Sequence, residues 1–405
     1  MISGFNFWFS RMVSRGMLPR MAQTPDRFSS VEEMLRAWQP REPVYCIYPH
    51  VYLDTAQTFV GDFPGRVLYA VKANDEPAVV RLLHQGGVRH FDCASLPEVA
   101  LVKSVCPQAH CYFMVPVSLR EAAGTACREH GVRHFMVDHA AGLDLLADEI
   151  PMSESVIFAR MAVSHASASM DLSSKFGALP EDMPDLLRQI RERGAEPALA
   201  FNVGTLVKQP AAYRHAIEVA AQMLEQLEFR VRLIDIGGGF PRAYPGFPVP
   251  PLDEFISTVK ESAGLLPMQE NGEILAEPGR ALSAPGLSAV VEVLLRKDKR
   301  LYLNDGMYGV FWELRFEAHK QYPVRAYRRG KRLTGPEASF TLYGPTCDAS
   351  DVLPGEVLLP RDIRAGDHLE FGHIGAYSLA GRTRFNGHYS DRIIEITSEQ
   401  QFPPA

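Results

Sequence analysis

The sequence has no cysteine pair at the spacing of a metal or redox site. Its six cysteines, Cys46, Cys93, Cys106, Cys111, Cys127 and Cys347, are scattered through 405 residues, and none forms a CxxC. No histidine cluster stands at zinc-ligand spacing, so no metal site is legible. Scattered thiols in a long chain read as reduced and point to the cytoplasm. No apolar run approaches the roughly 20 residues of a membrane-spanning helix. Positive charge is not in excess either: 42 Lys+Arg against 48 Asp+Glu give a net charge of -6. That balance argues against a general nucleic-acid-binding face. There is no internal repeat and no low-complexity linker.

What remains is a composition ordinary for a globular protein, 46% hydrophobic and 22% charged. At about 150 residues per domain the length suggests two or three domains, large enough to bury a core without disulfide or metal staples. Residues 1–27 read as a tail. They carry Arg11, Arg15 and Arg20, no acid before Asp26, and an apolar start at Phe5, Phe7, Trp8 and Phe9. A transit peptide to an organelle and a frayed terminus both fit that pattern.

From residue 49 to 283 short apolar runs alternate with helical patterns. The strand-like runs are Arg66–Val71, His90–Ala94, His110–Pro116, Arg133–Asp138, Ser155–Val163, Glu196–Gly204, Arg230–Gly237 and Glu273–Glu277. Eight strands, most followed by a helical stretch, predict a (β/α)8 barrel, and their continuous apolar character fits a parallel sheet buried on both faces. A doubly wound open sheet is the rival architecture at this level. From 284 to 405 the texture changes to short β-rich runs punctuated by Gly and Pro: Ser288–Leu295, Arg300–Leu303, Ser339–Tyr343, His368–Phe371 and Arg392–Thr397. They predict a second, mostly antiparallel β domain. Within residues 28–48, the run Val44–Tyr48 is expected to join that sheet.

Polar residues collect at the ends of the barrel strands: Lys72, Asp92, Asn202, Thr205, Gly237–Gly239, Glu277 and Arg280. In a barrel these ends converge on one mouth, where active sites lie. A lysine after an apolar strand is expected to lose solvation, which lowers its pKa and favours imine formation. By itself it reads more readily as a solvated strand end. Three consecutive glycines can offer backbone N–H groups to a phosphate, although a tight turn needs glycine too. Arg280 could add a phosphate contact. Lysine, phosphate cradle and acid together suggest a phosphorylated aldehyde, pyridoxal 5'-phosphate.

The motifs YAVKAN around Lys72, FDCAS followed by Glu98, SSKFG at Ser173–Gly177, DIGGGFP and EPGR stand in order along the chain. LNDGMYGVF at Leu303–Phe311, YGPTCDASD at Tyr343–Asp351, GAYS at Gly375–Ser378 and FNG at Phe385–Gly387 follow. In this ordered set the chain resembles the fold-type III pyridoxal-phosphate-dependent decarboxylases, the group containing eukaryotic-type ornithine and lysine decarboxylases. The resemblance spans residues 40 to 398 and implies an alanine-racemase-like barrel.

It also implies roles. Lys72 would carry the cofactor, and Glu277 would pair with the pyridine nitrogen and keep it protonated. Gly237, Gly238, Gly239, Arg280, Tyr377 and Thr205, where the family usually has serine, would hold the phosphate. Asp92, Arg160 and Asn202 would line the cofactor. Cys347 would reprotonate the substrate carbon, although a free cysteine is more often a small buried hydrophobe. Asp305 and Asp348, with Tyr308 beside them, would hold the distal amino group, although both acids also suit solvated turns. Cys347 and Asp348 would come from the opposite subunit of a homodimer.

Two departures stand out. FNVGT replaces the family's FHVGS, so Asn202 stands where a histidine usually lies against the ring. Ser164–Met170 lacks the family's acid pair. The expected activity is decarboxylation of ornithine to putrescine or lysine to cadaverine. The alternatives are a decarboxylase of a modified or larger amino acid and a non-catalytic regulatory homologue.

Overall fold

The computed structural model describes residues 25–163, 173–316, 320–399 and 402. The N-terminal tail through residue 24 and the segment Ser164–Met170 lie outside the described residues. In chain order the strands are β1 (Asp26–Phe28), β2 (Val44–Ile47), β3 (Arg66–Ala70), β4 (His90–Cys93), β5 (His110–Phe113) and β6 (His134–Val137). They continue with β7 (Val156–Met161), β8 (Glu196–Phe201), β9 (Val231–Asp235), β10 (Met268–Ala276), β11 (Leu287–Lys297) and β12 (Arg300–Leu303). The last six are β13 (Val324–Arg328), β14 (Lys331–Arg332), β15 (Glu337–Tyr343), β16 (Val357–Pro360), β17 (His368–Phe371) and β18 (Ile393–Ile396).

Strands β3 to β10 close into a parallel barrel, with β10 pairing both β9 and β3. Helices such as Pro77–Gln85 after β3, Leu96–Val105 after β4 and Ala211–Leu224 after β8 return the chain to the start of the next strand. The open-sheet alternative is thereby excluded. The strands are mainly apolar because both faces are buried; polar residues such as Arg160 and Asp235 fall near strand ends, and the start of β10 is exposed. In β6, Met136 joins an inner cluster with Leu68, Tyr112, Phe158, Leu233 and Leu275, while Phe135 and Val137 face the helices. Each such side chain contributes about 1.5–3 kcal/mol of burial.

Local chemistry sets the helix starts. Ser95 Oγ accepts from Glu98 N–H at 3.3 Å, and Glu98 reaches back to Ala94 N–H at 2.6 Å. This reciprocal arrangement satisfies N–H groups that a helix start leaves free. It fixes the turn that follows Asp92.

The second unit is a ten-stranded sheet with the order β1-β18-β2-β11-β12-β15-β16, and β17 joins β11 to the β13–β14 hairpin. Most pairings are antiparallel; β1–β18, β18–β2 and β12–β15 are parallel. Val44–Ile47 lies between β18 and β11, inside this sheet. Several limits differ from the sequence reading. β5 stops at Phe113, β8 stops at Phe201, and β10 starts five residues early at Met268. The sheet also starts at Asp26, and a helix over Val31–Trp38, capped by Ser30, precedes β2.

Candidate active site

Lys72 sits in the short 3-10 turn Val71–Ala73 directly after β3. Its Nζ donates to Asp92 Oδ2 at 2.9 Å, and Asp92 is enclosed in β4. The lysine remains 43% exposed toward the mouth. Burial alone would favour the neutral amine, but the carboxylates of Asp92 and Glu277 outweigh it and hold the ammonium above the ordinary lysine value. The expectation of a lowered lysine pKa is therefore overturned. The reason is that β4 and β10 deliver acids from distant points of the chain.

Glu277 follows β10, and Asp235 ends β9. Burial raises the Glu277 pKa, with Asp235 and Asp92 adding to the effect while Lys72 and Arg160 oppose it. Burial likewise lifts Asp235 to about 7, against the pull of the Gly237 N–H, which donates to its Oδ1 at 2.7 Å. Asn202 Oδ1 accepts from Gly204 N–H at 2.9 Å and so holds its own loop.

The glycine loop is turned in a specific way. The carbonyls of Gly237, Gly238 and Gly239 accept from Glu277 N–H, the Tyr213 hydroxyl and Val207 N–H. Among the described residues, the N–H groups of Gly238 and Gly239 have no acceptor. Gly237 has φ +72, and a Cβ there would stand 2.4 Å from Phe201 O. Only glycine lets these loops touch.

Arg280 opens the short helix Arg280–Ser283 and is buried. It pairs with Glu313, which also takes Lys320 and, at 3.1 Å, the Tyr322 hydroxyl. Among the described residues, Arg280 Nε has no hydrogen-bond partner. The Tyr377 ring centroid lies 5.2 Å from the guanidinium, and Tyr377 is held at φ 54, a left-handed conformation uncommon for a tyrosine. Thr205, half-buried, follows Gly204 in the β8 loop.

Cys347, Asp348 and Tyr308 form a second group. Cys347 is exposed, and its N–H and Sγ both donate to Asn386 Oδ1, at 3.2 and 3.3 Å. Tyr308 donates to Asp348 and stacks on Phe385 at 4.4 Å. Asp305 is buried instead. It accepts from the Tyr45 hydroxyl at 3.0 Å, Gly306 N–H at 2.8 Å and Val310 N–H at 3.3 Å. Burial raises its pKa to about 6. The structure thus gathers Lys72, Asp92, Arg160, Glu277, Arg280 and Tyr377 at the mouth, and gathers Cys347, Asp348 and Tyr308 elsewhere on the same chain.

The sequence reading left out three residues. Asp235 lies inside the quoted DIGGGFP motif, and its signal is an acid ending an apolar strand, as Glu277 is. Glu313 was hidden as an acid in the apolar run VFWELRF. Asp351 accepts from Met307 N–H at 2.7 Å and the Thr346 hydroxyl at 2.7 Å, tying the Asp305 loop to the Cys347 loop.

A barrel with a lysine at its mouth, acids on neighbouring strands and a free pair of backbone N–H groups is built to hold a phosphorylated aldehyde cofactor. The comparisons agree. Residues 53–284 match the pyridoxal-binding domain of the pyridoxal-dependent decarboxylases, and residues 286–375 match their C-terminal sheet domain. The chain belongs to the pyridoxal-dependent decarboxylase family. It is 30% identical over 384 residues to the decarboxylase flvG of Aspergillus flavus, covering 88% of this chain and 86% of that protein. It is 30% identical to a lysine/ornithine decarboxylase of Selenomonas ruminantium, over 83% of this chain and 84% of the relative. The solved lysine/ornithine decarboxylase of Vibrio vulnificus complexed with putrescine superposes with a TM-score of 0.78 at 28% identity, over 92% of this chain and 100% of that one.

The residues present fit the family's cofactor. An accessible lysine, an arginine with an unpartnered Nε and two backbone N–H groups without acceptors are what a phosphorylated aldehyde requires. Among the described residues, no group of three or more His, Cys, Asp or Glu could hold a metal, and no helix is long and apolar enough to cross a membrane.

Proposed function

We propose that the protein is a homodimeric, cytoplasmic decarboxylase of a basic L-amino acid, converting ornithine to putrescine or lysine to cadaverine. The observation that carries this reading is the Lys72–Asp92 pair at the barrel mouth, within electrostatic reach of Glu277. When bound, pyridoxal phosphate supplies an electron sink for the pair released as the Cα–carboxylate bond breaks. The chain's own residues do the rest. Lys72 would hold the cofactor through its Nζ, which Asp92 orients from 2.9 Å. Arg280 and the Gly238 and Gly239 N–H groups would anchor its phosphate. Glu277 would pair with its ring nitrogen and keep a proton there.

Cys347 and Asp348 are not bonded to the mouth of their own chain, which supports a site completed by Cys347 of the partner subunit and Asp348 of the partner subunit. Cys347 would place a proton on Cα, and the acids would hold the distal ammonium. Six unpaired thiols suit a reducing compartment.

A panel assay of CO2 release from L-amino acids tests the reading. Turnover of ornithine or lysine is expected, with a visible absorption band lost in Lys72→Ala. A band and full turnover retained in that variant would overturn it. A modified or larger substrate is the second reading. Asn202 favours it, because its amide is smaller than the family's imidazole and is hydrogen-bonded to its own loop. No turnover of either diamine precursor, with turnover of another amino acid, selects that reading.

A further inference from the structure

Arg280, the proposed phosphate anchor, is held from behind by side chains to which no role has been given. It lies buried at the start of the helix Arg280–Ser283, against the turn that carries Lys72: a Cβ on Gly279 would stand 2.9 Å from the Cβ of Ala73. Its Nη1 donates to the Tyr244 hydroxyl at 3.3 Å, and its Nη2 donates to Glu313 Oε1. A guanidinium is planar and rigid, so fixing two of its nitrogens sets the direction of the third. That third nitrogen, Nε, is buried and has no hydrogen-bond partner among the described residues.

Glu313 comes from the turn Trp312–Arg315, within the residues of the sheet domain and not the barrel. Its other oxygen, Oε2, accepts from Lys320 Nζ and, at 3.1 Å, from the Tyr322 hydroxyl. Lys320 is fully enclosed, with its Nζ 4.7 Å from the Tyr244 ring centroid and 4.8 Å from that of Tyr322. The two rings meet edge to face at 5.8 Å. One acid thus serves two cations, so it orients Arg280 without cancelling the charge that a phosphate needs. Burying such a set is costly, and packed apolar side chains would serve stability as well.

We infer that Glu313 is a positioning residue for the cofactor's phosphate: it aims the Arg280 guanidinium, while Lys320 and Tyr322 fix the acid in place. The inference rests on the proposed phosphate site and names what orients it. The sheet domain then sets how firmly the barrel grips the phosphate end of the cofactor, whereas the aldehyde end depends on Lys72.

Pyridoxal carries the same aldehyde without the phosphate, so the ratio of the two affinities isolates the phosphate's share. Both are read by absorbance titration of the full-length, cofactor-free protein, with near-ultraviolet circular dichroism to show that each variant is folded. Glu313→Asp keeps the charge but draws it back by one methylene. The preference for pyridoxal phosphate over pyridoxal should fall by about tenfold, the worth of a charge-assisted hydrogen bond, with pyridoxal affinity unchanged. Tyr322→Phe deletes one hydroxyl behind Glu313 and leaves every ion in place; the preference should fall by about threefold. An unchanged preference in folded Glu313→Asp, or an equal loss of both ligands, would overturn the inference. Should Glu313→Asp not fold, Tyr322→Phe decides by the same criterion. A wild type that binds pyridoxal as tightly as pyridoxal phosphate would instead bring down the phosphate site and the proposed function with it.

Discussion

Cys347 makes the sharpest demand on the site, because its bonds within one chain go to Asn386 and not to the mouth. As the acid for Cα, its replacement by alanine should lower kcat by about 10²–10⁴-fold. Cofactor absorption should persist, and steady-state kinetics with a spectrum of the same preparation check both. The roles proposed for Lys72, Glu277 and Cys347 can be read from the sequence because motifs place them in short stretches of it. The state of Lys72 cannot, since its ammonium answers to acids 20 and 205 positions further along the chain. Glu313 was illegible for a similar reason. It is surrounded by Arg280, Lys320 and Tyr322. Burial opposes its ionisation, yet Arg280 and Lys320 prevail and hold its pKa down to about 2. A depressed carboxylate contributes stability above its unfolded value, near 4.5, and that stability is lost as pH falls toward 2. Glu313→Gln should therefore remove this acid-sensitive part. It should also cost about 3–5 kcal/mol at pH 7, because two buried cations lose their counter-charge. Urea unfolding at pH 7 and pH 4 reads both effects.

Among the elements, the barrel strands announced themselves as mainly apolar runs because burial on two faces leaves few polar positions, such as Asp92 and Asp235. The missed strands carry no such pattern. β13 reads VRAYR, with arginines at its second and fifth positions, β14 is two residues long, and β16 ends in proline. Their pairing is decided by neighbours, not by their own composition. The starts of β4, β5 and β6 hold another feature that only the closed barrel creates. His90 stacks on His110 at 5.0 Å, and Tyr112 stacks on His134 at 4.1 Å. Burial and then Arg66 push His90 down to about 3 and His134 to about 4. These rings stay neutral in the fold but take up protons when unfolded, from about pH 6.5 downward. Stability is thus complete above that pH and erodes as pH falls toward 4 and then 3. At pH 5 each ring should account for up to about 2 kcal/mol of the loss. His134→Gln should lose less stability than wild type between pH 7 and 5, as followed by urea titration. Gly237→Ala tests the loop that follows β9. A Cβ 2.4 Å from Phe201 O, at φ +72, should lower both thermal stability and cofactor affinity, checked by thermal denaturation and absorbance titration.

At the scale of the whole molecule, the proposed dimer makes a quantitative prediction. A Lys72→Ala protein and a Cys347→Ala protein are each inactive alone if both groups are needed. Mixed in equal amounts and allowed to exchange, half the dimers are hybrids, and each hybrid has one intact site. About a quarter of wild-type activity should return. Recovery of none would show that each chain supplies its own Cys347, and a sizing column would then report monomers or an unrelated assembly.

The order β1-β18-β2 places one of the last strands of the chain between two of its first. During synthesis from the N-terminus, Asp26–Phe28 and Val44–Ile47 must therefore wait for Ile393–Ile396 to leave the ribosome. The barrel has all eight of its strands long before that moment. A nascent chain halted near residue 390 would carry a closed barrel with a gap in its sheet, and its two earliest strands would be open to a chaperone.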